Sequence, residues 1–146
     1  MRRLLPDTRG QNMAMFALVL AFLLAPMTTL VVDVPRYFIL RATLQSAVDA
    51  AAEAAARCVD VAWYQERGES RLDVDCARVE ARRYFGVVTA DAGTGYAFHL
   101  EEIAIDEAAD TVTARGSGTL TTFLGDLIPR ITVNAAGTSG FRLTQE

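Results

Sequence analysis

The sequence predicts an α+β chain, in which a long N-terminal transmembrane and amphipathic helix is followed by a second helix and a small antiparallel sheet of about three strands. Three observations predict it. Gln11 to Val32 is a run of 22 residues without a charge. Apolar residues then recur at three- and four-residue steps as far as Cys58, and again between Arg71 and Phe85. After Gly95 the apolar period falls to two, the period of a half-buried strand.

A chain of 146 residues has room for one domain, and with 51% apolar residues it is no disordered segment. All 14 basic residues are Arg, and 18 acids leave a net charge of -4. That balance disfavours a general nucleic-acid binder, because phosphate contacts need net positive charge. One His and two Cys cannot supply the four N and S ligands of a usual structural zinc site.

The first element is the uncharged run. From Met13 to Val32 it is apolar except for Thr28 and Thr29. At ~1.5 Å per residue, 20 helical residues cover about 30 Å, the thickness of the hydrocarbon layer. A small soluble chain cannot hide a helix that is apolar on every side. The run is longer than the apolar part of a secretory signal, and Pro26-Met27-Thr28-Thr29 is a poor cleavage site. Arg2, Arg3 and Arg9 precede it with Asp7, whereas 11 Arg and 17 acids follow. The positive flank places the N-terminus in the cytoplasm and the remainder outside. The expected layout is a basic cytoplasmic leader at 1–10, a transmembrane helix at 11–33, an amphipathic helical extension at 34–66 and an exported α+β domain at 70–146.

Beyond Asp33 the chain is rich in helix formers and free of Gly until Gly68. Val34, Phe38, Arg41, Leu44, Val48, Ala51, Ala55 and Cys58 are read as one stripe of the extension. Of these, Phe38, Leu44, Val48, Ala51 and Ala55 are the candidates for a helix–helix interface. Pro26 and Pro35 predict one rod with two bends, the hydroxyls of Thr28 and Thr29 taking up carbonyls released at Pro26. The Ala-rich run from Asp49 to Ala56 suits close approach of another subunit's helix and equally of the chain's own sheet, and Ala is in any case a good helix former.

These N-terminal residues resemble the TadE/TadG-like proteins of the tight-adherence (Flp) pilus assembly system, relatives of type IV pilins. The resemblance is carried by Arg9-Gly10-Gln11, by Phe16-Ala17-Leu18, by Val32-Asp33-Val34 with Arg36, and by Leu44 to Ala52 (LQSAVDAAA). It covers about the first 57 residues. It implies a pilin-like architecture and a single-pass protein of the bacterial cytoplasmic membrane, acting in pilus biogenesis, adhesion or secretion. Its implied partners are the membrane, other pilin-like or Tad-system subunits and a prepilin peptidase. In prepilins of this system the peptidase cuts after a Gly, with Glu five residues on and then an aromatic. Gly10, Gln11 and Phe16 fit that frame, but Met15 stands at the Glu position. A carboxylate there would pair with a neighbour's amine; Met15 cannot. The resemblance therefore implies an uncleaved anchor or a minor pseudopilin, not the major polymerising pilin.

In the exported part, Ser70 and Asp73 are read as a capping box opening a helix from about Arg71 to Phe85, its apolar side formed by Val74, Ala77, Ala81, Tyr84 or Phe85, and Val88. Cys58 near the end of the first helix and Cys76 in the second are expected to form a disulfide in an oxidising space. Buried thiols or a redox or metal pair are the alternatives, though the spacing is not CxxC and no His lies nearby. Phe98 and Leu100 alternate with His99 and Glu101, and the phase slips at Glu102 before Ile103 and Ile105, predicting a β-bulge. Glu107 to Asp110 turns the chain; Val112, Ala114, Gly116, Gly118 and Leu120 share the next strand's inner face. A helical turn from Thr122 to Ile128 is expected before a third strand, with Ile131, Val133 and Ala135 inward, that reaches towards Phe141.

No residue set here is one that catalysis, a cofactor or a metal would use. His99 has no identifiable partner, and Asp73, Asp75, Asp106, Glu107 and Asp110 do not have EF-hand spacing and read as solvated acids. Two classes of function remain: a non-catalytic component of a pilus or secretion apparatus, and a stand-alone membrane-anchored extracytoplasmic binding module.

Overall fold

The computed structural model describes residues 8–122 and 130–141. Helix α1 runs over Thr8–Ala56, α2 over Val61–Arg67 and α3 over Val74–Ala90; strands β1, β2 and β3 are Tyr96–Asp106, Thr111–Leu120 and Ile131–Gly140. The expected α+β class is what the chain adopts.

The 49 residues of α1 rise about 74 Å at ~1.5 Å each, passing both Pro26 and Pro35 without leaving the helix. Pro26 has no N–H for the Phe22 carbonyl. The nearby hydroxyls do not replace it: Thr28 Oγ1 donates to the Leu24 carbonyl at 2.9 Å and Thr29 Oγ1 to that of Ala25 at 3.0 Å. Each hydroxyl reaches back four residues along its own helix, and that reach falls short of residue 22.

The first helix ends at Ala56, ten residues short of the expected end of the helical extension at residue 66. Val59 pairs with Leu72 in an isolated antiparallel bridge, fastened by Asp60 N–H to the Arg71 carbonyl (2.7 Å) and Asp73 N–H to that of Cys58 (2.8 Å). Residues 61–67 then form a separate helix. Asp60 caps it, accepting from Trp63 N–H at 3.0 Å, and Gly68 closes it in the left-handed region at φ 71°.

Helix α3 opens at Val74 and not at Arg71. Leu72 is held in the bridge, so Asp73 and not Ser70 is the cap, its Oδ1 accepting from Asp75 N–H and Cys76 N–H at 3.0 and 3.1 Å. Ala77, Ala81 and Phe85 are buried as read, but Tyr84 is exposed and the helix continues to Ala90.

The sheet is an antiparallel meander in the order β1-β2-β3. The register between β1 and β2 slips between Leu100 and Glu102, so the bulge falls where the apolar phase breaks. Val112, Ala114, Gly116, Gly118 and Leu120 all face the core. In β3, Ile131, Val133 and Ala135 alternate inward as expected, and Phe141 beyond its end is buried. The helical turn expected at Thr122 to Ile128 lies outside the described residues, apart from Thr122 itself.

Half of α1 is laid across the inner face of this sheet, with α3 beside it. Leu44, Ala47, Val48, Ala51, Ala52 and Ala55 are fully buried there among Ala77, Ala81, Phe85, Val112 and Ala114. Glycines make the approach close. A Cβ on Gly137 would stand 2.7 Å from the Asp49 backbone nitrogen, one on Gly118 2.8 Å from Leu40 Cδ1 and one on Gly116 3.2 Å from Val48 Cγ1, all on α1. The outer face is small and polar; Thr113 and Thr138 hydroxyls meet across β2 and β3 at 3.0 Å.

Candidate functional site

The N-terminal half of α1 touches little of the fold. Met13, Met15, Phe16, Leu18, Phe22, Leu23, Met27, Leu30 and Val31 are all exposed, Phe22 at 81%. Exposure extends round the whole helix, so no amphipathic face exists for a soluble fold to cover. This helix is long and apolar enough to cross a membrane. Gly10 and Gln11 lie inside its helical backbone, close to its start at Thr8, and Met15 and Phe16 are exposed on the apolar segment that follows.

The stripe expected to form a helix–helix interface divides in two. Leu44, Val48, Ala51 and Ala55 are buried in the chain's own core, whereas Phe38 is 62% exposed and meets Tyr37 edge-on. The cause is helical phase. Stepping back from Leu44 by three and three residues, through Arg41 to Phe38, turns about 120° around the axis at ~100° per residue. Steps of four, three and four keep the face, and they land on Leu40, Tyr37 and Asp33. Leu40 is fully buried, Asp33 is 8% exposed and Tyr37 is half-buried. The Ala-rich run, which suited a partner helix or the chain's own sheet, here packs on this chain's α3 and sheet.

Where α1 leaves the domain, Asp33 and Arg36 form an ion pair at 3.5 Å, and the Arg36 guanidinium lies 5.7 Å from the Tyr96 ring centroid. Gly95 leaves room for it: a Cβ there would come within 2.7 Å of Arg36 Nη2, and φ is 97°. Beside this junction an open groove of about 820 Å³ runs along Phe22, Pro26, Leu30 and Tyr37 to Thr122 and Ile131. The Thr122 hydroxyl is buried with no hydrogen-bond partner among the described residues. In the sequence, the trace of this pairing is that Asp33 and Arg36 are the first acid and the first base after the uncharged run.

At the opposite end of the packed half of α1, Cys58 and Cys76 are joined in the expected disulfide. It fixes the end of α1 to the first turn of α3. His99 is exposed, across from Ser117. Asp73 caps α3, and Asp106 caps the following turn by accepting from Ala108 and Ala109 N–H. Among the described residues no three His, Cys, Asp or Glu side chains gather in one place.

Residues 10–57 match a family model described as Flp pilus-assembly TadE/G-like. The matched stretch is about a third of the chain and contains all the residues that carry the resemblance except Arg9. That third is TadE/G-like. No curated protein and no solved structure matches the chain.

Proposed function

We propose that the chain is a membrane-anchored, non-catalytic component of a Tad/Flp-type pilus or secretion apparatus, an uncleaved anchor or a minor pseudopilin. The observation that carries this is the exposed apolar half of α1, which belongs to the TadE/G-like stretch and emerges from a domain whose core is complete without it. Burying those side chains in lipid removes them from water at about 25 cal/mol per Å². Leu and Phe lose little by moving from lipid to another helix, so neighbouring subunits would be held by close van der Waals contact. The Arg-bearing leader stays in the cytoplasm and the α+β domain lies outside, where the disulfide forms and persists.

Met15 supports a role other than the main polymerising subunit, because it offers no charge for a neighbour's amine. The partners proposed are other pilin-like or Tad-system subunits. A prepilin peptidase is one more if the frame at Gly10 is used.

The test is extraction of the full chain from membranes with mild detergent, followed by identification of what elutes with it. Co-elution of pilin-like subunits is the expected result. A chain that washes off membranes with alkaline carbonate overturns the anchor; one that stays in the membrane but elutes alone favours the stand-alone binding module. Mass spectrometry of the same sample decides processing, since cleavage would make Gln11 the first residue.

A further inference from the structure

The open groove beside the junction of α1 and the sheet follows one face of the apolar helix. Phe22, Pro26, Leu30, Asp33 and Tyr37 succeed one another along it at steps of four, four, three and four residues. From Phe22 to Asp33 the helix rises about 16 Å at ~1.5 Å per residue, close to half of a hydrocarbon layer about 30 Å thick. Asp33 is the first charge after the apolar run, so this length of groove is one leaflet deep, on the side of the α+β domain. At its upper end stand Thr122, just past the end of β2, and Ile131, where β3 begins. Thr122 is 5% exposed, and its hydroxyl has no hydrogen-bond partner among the described residues. Buried polar groups are normally satisfied, so a donor left over at the end of an apolar groove points to an acceptor that arrives with a ligand. Asp33, the one carboxylate among the described residues lining the groove, is already paired with Arg36.

We propose that this groove holds an acyl chain of one phospholipid from that leaflet, with the Thr122 hydroxyl donating to the ester carbonyl at the chain's glycerol end. The groove's volume of about 820 Å³ lies within the range of about 300–1,000 Å³ typical of ligand-holding clefts. Lipid against the convex faces of α1 touches protein on one side only. In the groove it is touched on several, and those added dispersion contacts, with the hydrogen bond, are what a lipid gains here over its neighbours. A second copy's transmembrane helix, about 10–12 Å across, would have to run on past the groove's end into Thr122 and Ile131, whereas an acyl chain stops there at its ester. The inference rests on the membrane-anchored reading of α1 and adds a lipid site to it.

The probe is dioleoyl phosphatidylcholine, titrated into the full chain in neutral detergent and counted by native mass spectrometry. One lipid per chain, bound saturably, is the expected result. Ala25→Trp, which fills the groove, should weaken that binding at least about tenfold. Thr122→Val, which keeps the side chain's shape and removes the donor, should weaken it about fivefold. Leu24 is exposed on the opposite face of the helix, and Leu24→Trp should change binding less than about twofold. Thermal melting no lower than the original's in each variant excludes a folding cause. The inference is overturned if the original binds no lipid saturably, if Ala25→Trp and Leu24→Trp bind alike, or if Thr122→Val binds like the original. A dimer in the same spectra that Ala25→Trp alone abolishes would also overturn it, giving the groove to a second copy. Carbonate extraction reads the anchor independently: a chain that stays in membranes yet has no saturable lipid refutes this inference and leaves the membrane reading intact.

Discussion

Gly137 is where strand β3 comes nearest to α1. A Cβ there would stand 2.5 Å from Asp49 Oδ1, 2.7 Å from the Asp49 nitrogen and 2.8 Å from its Cα. The carboxylate can rotate away, but the nitrogen and Cα belong to a helix whose inward side chains are fully buried, so strand and helix must separate. Overpacking of this kind costs typically 1–3 kcal/mol, and a clash with backbone puts Gly137→Ala at about 2 kcal/mol. For a chain of this length that is a fall in Tm of about 6 °C, at about 3 °C per kcal/mol. Gly86 in α3 is the control, since nothing lies within 4 Å of a Cβ placed there. Gly86→Ala should raise stability by about 1 kcal/mol, because alanine restricts the unfolded chain and favours the helix. Both melts are read by circular dichroism and by Trp63 fluorescence on the full chain in detergent. A Gly137→Ala protein as stable as the original would refute the close helix-on-sheet contact on which the fold description rests.

Three further outcomes are expected. Replacing Cys58 and Cys76 by Ser should lower stability by about 3 kcal/mol on the loop-entropy estimate for a separation of 18 residues, seen as a lower denaturant midpoint, and the original chain should show no reactive thiol when denatured without reductant. Leu44→Ala should cost about 2–5 kcal/mol by opening a cavity at a fully buried site, whereas Phe38→Ala, at an exposed site on the same helix, should leave the melt nearly unchanged. Leu20→Arg places a charge in the middle of the exposed apolar segment at about 2.5–3.5 kcal/mol, and should move the protein from the carbonate-resistant to the soluble fraction; unaltered partitioning would contradict a spanning role.

Several elements were legible from short-range chemistry alone. The apolar run 13–32 announces itself because no amphipathic face has to be inferred. The bulge at Glu101 shows because a period of exactly two leaves no freedom: one extra residue flips every later side chain, and Ile103 and Ile105 betray it. The Cys pair was legible through the oxidising space expected for that part of the chain. Helix ends and helix phase were not. Whether Cys58 continues a helix or leaves it depends on Leu72 being available to pair with Val59, a contact across 13 positions that propensity does not register. Phe38 and Leu40 are both apolar, and only the position of the sheet decides which of them is buried.

By itself the sequence determined the exposed membrane-length helix, the α+β order and the alternation of the strands, since each follows from the spacing of apolar side chains along the chain. Only the tertiary structure decided that the Ala-rich half of α1 is taken up by its own sheet, that Asp33 and Arg36 pair at the edge of the domain, and that the groove beside them ends at the buried hydroxyl of Thr122. These depend on which surfaces meet, and burial is a property of the assembled layers that no local window contains.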